Sequence, residues 1–160
     1  MKPVPTIRAV EDKRPFLDLM LASWGSHSMM IDYTVYDCSE LDLLGAFSEV
    51  GDAVAYASWT LHGHTALLCA LHALAPGQGD AVFLLNALKE QARARGASKL
   101  CAMITNDNMP ALTFYQKQGF RFSRLYLDAI DDFRSVIPTI IRTGHLGIPI
   151  HDAIELEIAL

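Results

Sequence analysis

The chain has 160 residues, 51% apolar and 19% charged, which suits one folded domain with a substantial core and excludes a disordered polymer. Its formal net charge of −5 leaves no basic footprint for nucleic acid and favours, weakly, small cationic partners. Cys38, Cys69 and Cys101 are odd in number and read as reduced, buried thiols of a cytoplasmic protein; none has a neighbour that would activate it.

The first residues, with Lys2, Pro3 and Pro5, show no signal peptide. Residues 6–10 read as a short strand, and residues 11–24 as a helix with Phe16, Leu17, Leu19, Met20 and Leu21 on its packed side. Residues 25–40 mix Ser, His, Met, Tyr and Asp without a period and predict a loop or broken helix. Strands follow at 46–50 and 54–61 around a Gly51-Asp52 turn, and at 65–74. Residues 53–79 contain no Asp, Glu, Lys or Arg, which raises the question of a membrane helix. His62-Gly63-His64 and Pro76-Gly77 interrupt that stretch, so two buried strands joined by a tight turn explain it better. The two histidines have ligand-like spacing but no third ligand, and no metal site is expected.

Residues 79–95 predict a helix stopped by Gly96, and residues 100–104 a buried strand. Residues 106–120 read as a short helix with clear ends. Asn106, Asp107 and Asn108 can cap its first amides, and Pro110 fits its first turn. Ala111, Phe114 and Tyr115 share a face, and Gly119 ends it. A strand over 120–127, an acidic helical turn near residue 129, and a last strand marked by Ile154, Leu156 and Ile158 complete the chain. These elements describe one α+β domain over 1–160, with a mixed, mostly antiparallel central sheet flanked by helices.

Asn108, Ala111, Tyr115, Gly119 and Phe120 reproduce the Asn-x-x-Ala-x-x-x-Tyr helix and Gly-Phe step of the GNAT superfamily of acyl-CoA-dependent acyltransferases, which the chain strongly resembles. The resemblance implies acetyl-CoA as acyl donor, with Asn108 and Ala111 along the pantetheine arm. It makes Tyr115 the acid that protonates the departing thiolate. Strand main chain at Leu71 and Ala73 would hold the pantetheine. Lys117 is the best cationic candidate for a cofactor phosphate.

Pro76-Gly77-Gln78-Gly79-Asp80-Ala81 stands where the family has its phosphate loop, and Gln78, Gly79, Asp80, Ala81 and Val82 are the candidate diphosphate contacts. Gly79 and Ala81 match the family pattern, whereas Pro76 replaces Gln or Arg and Asp80 replaces an aliphatic residue. A carboxylate at Asp80 would stabilise an empty helix and repel a bound diphosphate, so two readings stand, phosphate cradle or plain turn.

On the acceptor side, the strand before this loop lacks the acidic residue common in the family, which leaves His72 as candidate base or as an ordinary sheet histidine. Trp24, His27, Tyr33 and Tyr36 are candidate walls of the acceptor pocket. The tail from Gly147 to Glu157 is similar to the Gly-Ile-Pro-Ile-Arg-Asp-Glu-Ile-Glu-Leu-Glu ending of one bacterial subgroup, with His151 and Ala153 replacing an arginine and an acid. The implied function is N-acetyl transfer to a small-molecule amine in a ternary complex, with no nucleic-acid or membrane partner. A homodimer would be in keeping with the family. The alternative is a protein of the same fold with weak or no CoA affinity and impaired catalysis.

Overall fold

In the computed structural model, which describes residues 2–160, the chain begins with β1 (Thr6–Ala9) and α1 (Arg14–Ser23). Pro15 occupies the first turn of α1, where its missing N–H has no role, and Phe16 and Met20, one turn apart, are the buried face. Residues 25–40 form neither a loop nor a broken helix but a hairpin, β2 (Ser28–Ile31) and β3 (Thr34–Asp37). Asp32 and Tyr33 make its two-residue turn, both at positive φ (48° and 60°). Such turns ordinarily carry glycine at one of these places, so a tyrosine there gives no hairpin signal in the sequence.

β4 (Asp42–Phe47) starts earlier than residue 46, because residues 48–52 are taken up by the turn. There the Ser48 amide donates to Asp52 O at 2.8 Å and the Gly51 amide to Ser48 O at 2.9 Å. The uncharged stretch folds as β5 (Ala53–His62) and β6 (Thr65–Ala73), paired antiparallel across Gly63-His64. No helix among the described residues is long and apolar enough to cross a membrane. α2 (Asp80–Ala94), β7 (Lys99–Thr105), α3 (Met109–Lys117), β8 (Arg121–Tyr126), α4 (Ala129–Val136) and β9 (Ala153–Ala159) follow.

The seven-stranded sheet has the order β1-β4-β5-β6-β7-β9-β8, with β6 and β7 parallel and every other pair antiparallel. This is the mixed, mostly antiparallel α+β arrangement that the sequence predicts. Leu84, Leu85 and Leu88 of α2 and Tyr115 of α3 pack on one face against Leu44, Trp59 and Leu68. On the other face, Phe16 and Met20 of α1 and Ile31 of the hairpin cover Leu67, Cys69 and Cys101. A third cluster joins α4, through Ile130 and Phe133, to Tyr126, Ile140 and Ile150. All three cysteines are buried and unbridged.

Candidate active site

The site lies where the sheet comes apart. β6 and β7 pair only from Thr65↔Lys99 to Leu68↔Ala102, although both strands continue. Beyond that point Met103 to Thr105 are held by β9 alone, and Ala70 to Ala73 by β5 alone. The divergence starts at a bulge: Ser58 faces Ala70 and Trp59 faces Leu68, which leaves Cys69 without a partner and bends β6 away from β7. The Leu74 amide donates to Val54 O at 2.9 Å. The alternation of an antiparallel ladder then turns the main chain of Leu71 and Ala73 toward the open side of β6. These are free peptide groups aimed into a gap.

On the α2–α3 face the gap opens into a cavity of about 620 Å³, lined by β6, the 75–79 loop and the starts of α2 and α3. Gly77 and Gly79 both hold positive φ (83° and 81°), and a Cβ at either would meet open space. Among the described residues, the amides of residues 77–81 donate to no main-chain or side-chain acceptor. Five free N–H groups at the start of a 15-residue helix fit an anionic diphosphate. Asp80 is 2% exposed, and its Oδ2 accepts from Lys2 Nζ at 2.6 Å. The carboxylate that argued against the cradle thus has a counter-ion. Leu71, Ala73, Gln78, Gly79, Asp80, Ala81, Val82, Asn108, Ala111 and Tyr115 all line this cavity, whereas Lys117 is exposed and lies outside it.

The three residues Asn106, Asp107 and Asn108 divide their work. Only Asn108 caps α3, its side chain accepting from the Ala111 amide at 3.2 Å. Asn106 Oδ1 accepts from the amides of His151 and Asp152 (2.8 and 3.0 Å), and its Nδ2 donates to Pro149 O. It ties the end of β7 to the Gly-Ile-Pro-Ile tail. Asp107 turns inward: it is 6% exposed and accepts from the Thr105 hydroxyl and from the His145 amide at 2.9 Å.

Tyr115 is buried between Phe114 and Phe120, with ring centroids 5.3 and 5.1 Å away. Burial pushes its phenol pKa well above the usual value, so the hydroxyl keeps its proton. Across the sheet, His72 stands edge-on to Phe16 at 6.0 Å, and burial pulls its imidazole below its ordinary pKa. Burial thus favours the uncharged form of both groups.

A second cavity of about 240 Å³ occupies the α1 side of the gap. It shares Leu71, His72, Asn108, Ala111 and Tyr115 with the first, so these five residues form the junction of the two spaces. Of the four aromatic candidates for its wall, Trp24 lines it, its Nε1 donating to Ser28 O at 2.9 Å. His27, Tyr33 and Tyr36 do not. Tyr33 is 57% exposed on the hairpin turn against Tyr126, and Tyr36 borders a groove on the far side of the hairpin. The sequence reading missed Asp107, Met20, Met29, Met103, Ile141 and Ile150 in this wall. Asp107 looked like a capping residue, and the others sit in four separate segments with no local signal.

A parted parallel strand pair, a helix N-terminus with free amides and two cavities that meet at Leu71, His72, Asn108, Ala111 and Tyr115 make up this site. Residues 13–120 match the model of the Acetyltransferase (GNAT) family, and the chain belongs to that family. Acetyl-CoA is the acyl donor of the family. The chain is 29% identical over 142 residues to the uncharacterized protein YdhI of Bacillus subtilis, covering 89% of each. Its fold is similar to that of an IAA acetyltransferase from Bacillus cereus (TM-score 0.76, 20% identity, 97% of this chain and 99% of that one). It is also similar to a GNAT acetyltransferase from Elizabethkingia anophelis with acetyl-CoA bound (TM-score 0.72, 18% identity, 99% and 100%).

Proposed function

We propose that this chain transfers the acetyl group of acetyl-CoA to the amine of a small molecule by direct attack in a ternary complex. The observation that carries the reading is the junction of the two cavities, bounded on one side by Tyr115 and on the other by His72. The donor supplies a thioester. Its diphosphate is received by the amides of residues 77–81, and its pantetheine arm runs along the open edge of β6. Main-chain N–H on that edge polarises the thioester carbonyl.

The amine nitrogen forms a bond to the carbonyl carbon as the C–S bond breaks. Tyr115 gives its phenolic proton to the departing sulfur, and His72 takes the surplus proton from the nitrogen. The products are an amide and free CoA; proton exchange with solvent restores Tyr115 and His72. Asp80, matched by Lys2, leaves the diphosphate site without an unpaired negative charge, which favours a cofactor-binding protein over one that has lost its donor.

The test is release of CoA from acetyl-CoA across a panel of primary amines. Amine-dependent release with the acetylated product identified by mass is the expected result. Release no faster than without any amine across the whole panel, despite bound acetyl-CoA, would refute transfer.

A further inference from the structure

Asp80 and Asp107 are the two buried carboxylates among the described residues, and they are treated differently. Asp80 has the Lys2 ammonium at 2.6 Å from Oδ2, while its buried Oδ1 has no partner. Asp107 has no lysine, arginine or histidine side chain within ion-pair distance. It receives one neutral donor on each oxygen, the Thr105 hydroxyl and the His145 amide. A buried carboxylate without a counter-ion is costly, and a cation arriving from outside relieves that cost.

The carboxylate is also placed where a cation could reach it. Asp107 lines the smaller cavity next to Asn108, one of the five junction residues, and is the only carboxylate there. Met20, Trp24, Met29, Met103 and Ile150 supply the apolar part of the wall, Ser23, Thr105 and Asn108 add uncharged polar groups, and Trp24 is fixed by its bond to Ser28. Nothing cationic is there to receive a carboxylate or phosphate. The close fit behind Asp107 is built in as well: a Cβ at Gly144 would lie 1.9 Å from Oδ2, so only glycine lets the 143–149 loop deliver its amide.

We propose that Asp107 binds the ammonium of the acceptor, and that the acceptor is a compact alkyl- or arylalkylamine with one positive charge and no anionic group. This rests on the amine-acetylation reading for its consequence, not for the binding itself. Asp107 holds the nitrogen beside the junction, and Met20, Trp24, Met29, Met103 and Ile150 take the body. The bound ammonium loses one proton to solvent before it attacks, and Tyr115 and His72 then act as proposed above. Zwitterionic amino acids are disfavoured because their carboxylate would face Asp107 and methionine side chains.

Calorimetry with 2-phenylethylamine, 2-phenylethanol and phenylalanine as probes tests the proposal on the intact chain. The wild-type protein should bind the amine about tenfold or more tightly than the neutral alcohol and than the zwitterion. In Asp107→Asn the preference for amine over alcohol should vanish while acetyl-CoA affinity is unchanged. Equal binding of amine and alcohol to the wild type, no binding of the amine, equal binding of phenylalanine, or a preference surviving in Asp107→Asn would overturn it. The wild-type comparison stands even if the variant does not fold. A charge preference without CoA release would remove the transfer reading and keep the cation site; CoA release without a charge preference would do the reverse.

Discussion

Tyr115 and His72 are shifted in opposite senses by one cause. Loss of water disfavours the charged form of each, which is phenolate for one and imidazolium for the other. For Tyr115 the consequence is a phenol that keeps its proton, as the proposed acid must. Tyr115→Phe should lower kcat by about 10²–10⁴-fold with little change in acetyl-CoA affinity, read by steady-state kinetics beside calorimetry. An unchanged kcat would remove Tyr115 from the chemistry. For His72, the folded-state pKa lies below the ordinary 6.5, so the neutral form, and the stability that depends on it, is present above 6.5 and lost as pH falls through the lowered value. The acid limb of the kcat profile should therefore fall below pH 6.5, and His72→Gln should abolish that limb together with most of the rate. A limb that persists in the variant would assign the proton elsewhere.

At the scale of elements, the loop before α2 and the bulge in β6 have opposite legibility. Gly77 and Gly79 announce a left-handed turn ahead of a helix, and the structure places both at positive φ. Gly79→Val should weaken acetyl-CoA binding by about tenfold or more, since its side chain would enter the open space beside the amides. It should cost about 1–2 kcal/mol in urea unfolding for the left-handed backbone. Affinity equal to wild type would mean that the diphosphate lies elsewhere. The bulge at Cys69 had no such signal, because Leu67-Leu68-Cys69-Ala70 reads as an uninterrupted buried strand. Its register depends on β5, which the sequence of β6 does not contain. The hairpin at 28–37 was hidden for a related reason: Asp32-Tyr33 adopts a glycine-type turn that its neighbours impose.

At the scale of the molecule, the larger cavity is assembled from β6, the following loop, α2 and α3, so a donor bound there, as proposed, should stabilise the whole domain. Acetyl-CoA at 100 times its dissociation constant should add about 2.7 kcal/mol, a rise of about 5–10 °C in Tm by differential scanning calorimetry for a chain of this size. A Tm unmoved at millimolar acetyl-CoA would return the chain to the alternative of a fold without its donor. The sequence by itself determined the α+β class, the order of the main elements, the glycine loop and the capped helix bearing Tyr115, because each is written in contiguous residues through period, cap or turn chemistry. Only the tertiary structure decided that Lys2 pairs with Asp80, that Asn106 ties β7 to the tail, and that Asp107 lines the smaller cavity while Tyr33 and Tyr36 do not. Those outcomes depend on which distant segments the sheet brings together, and hydrophobic period reports a residue's face but not its neighbour.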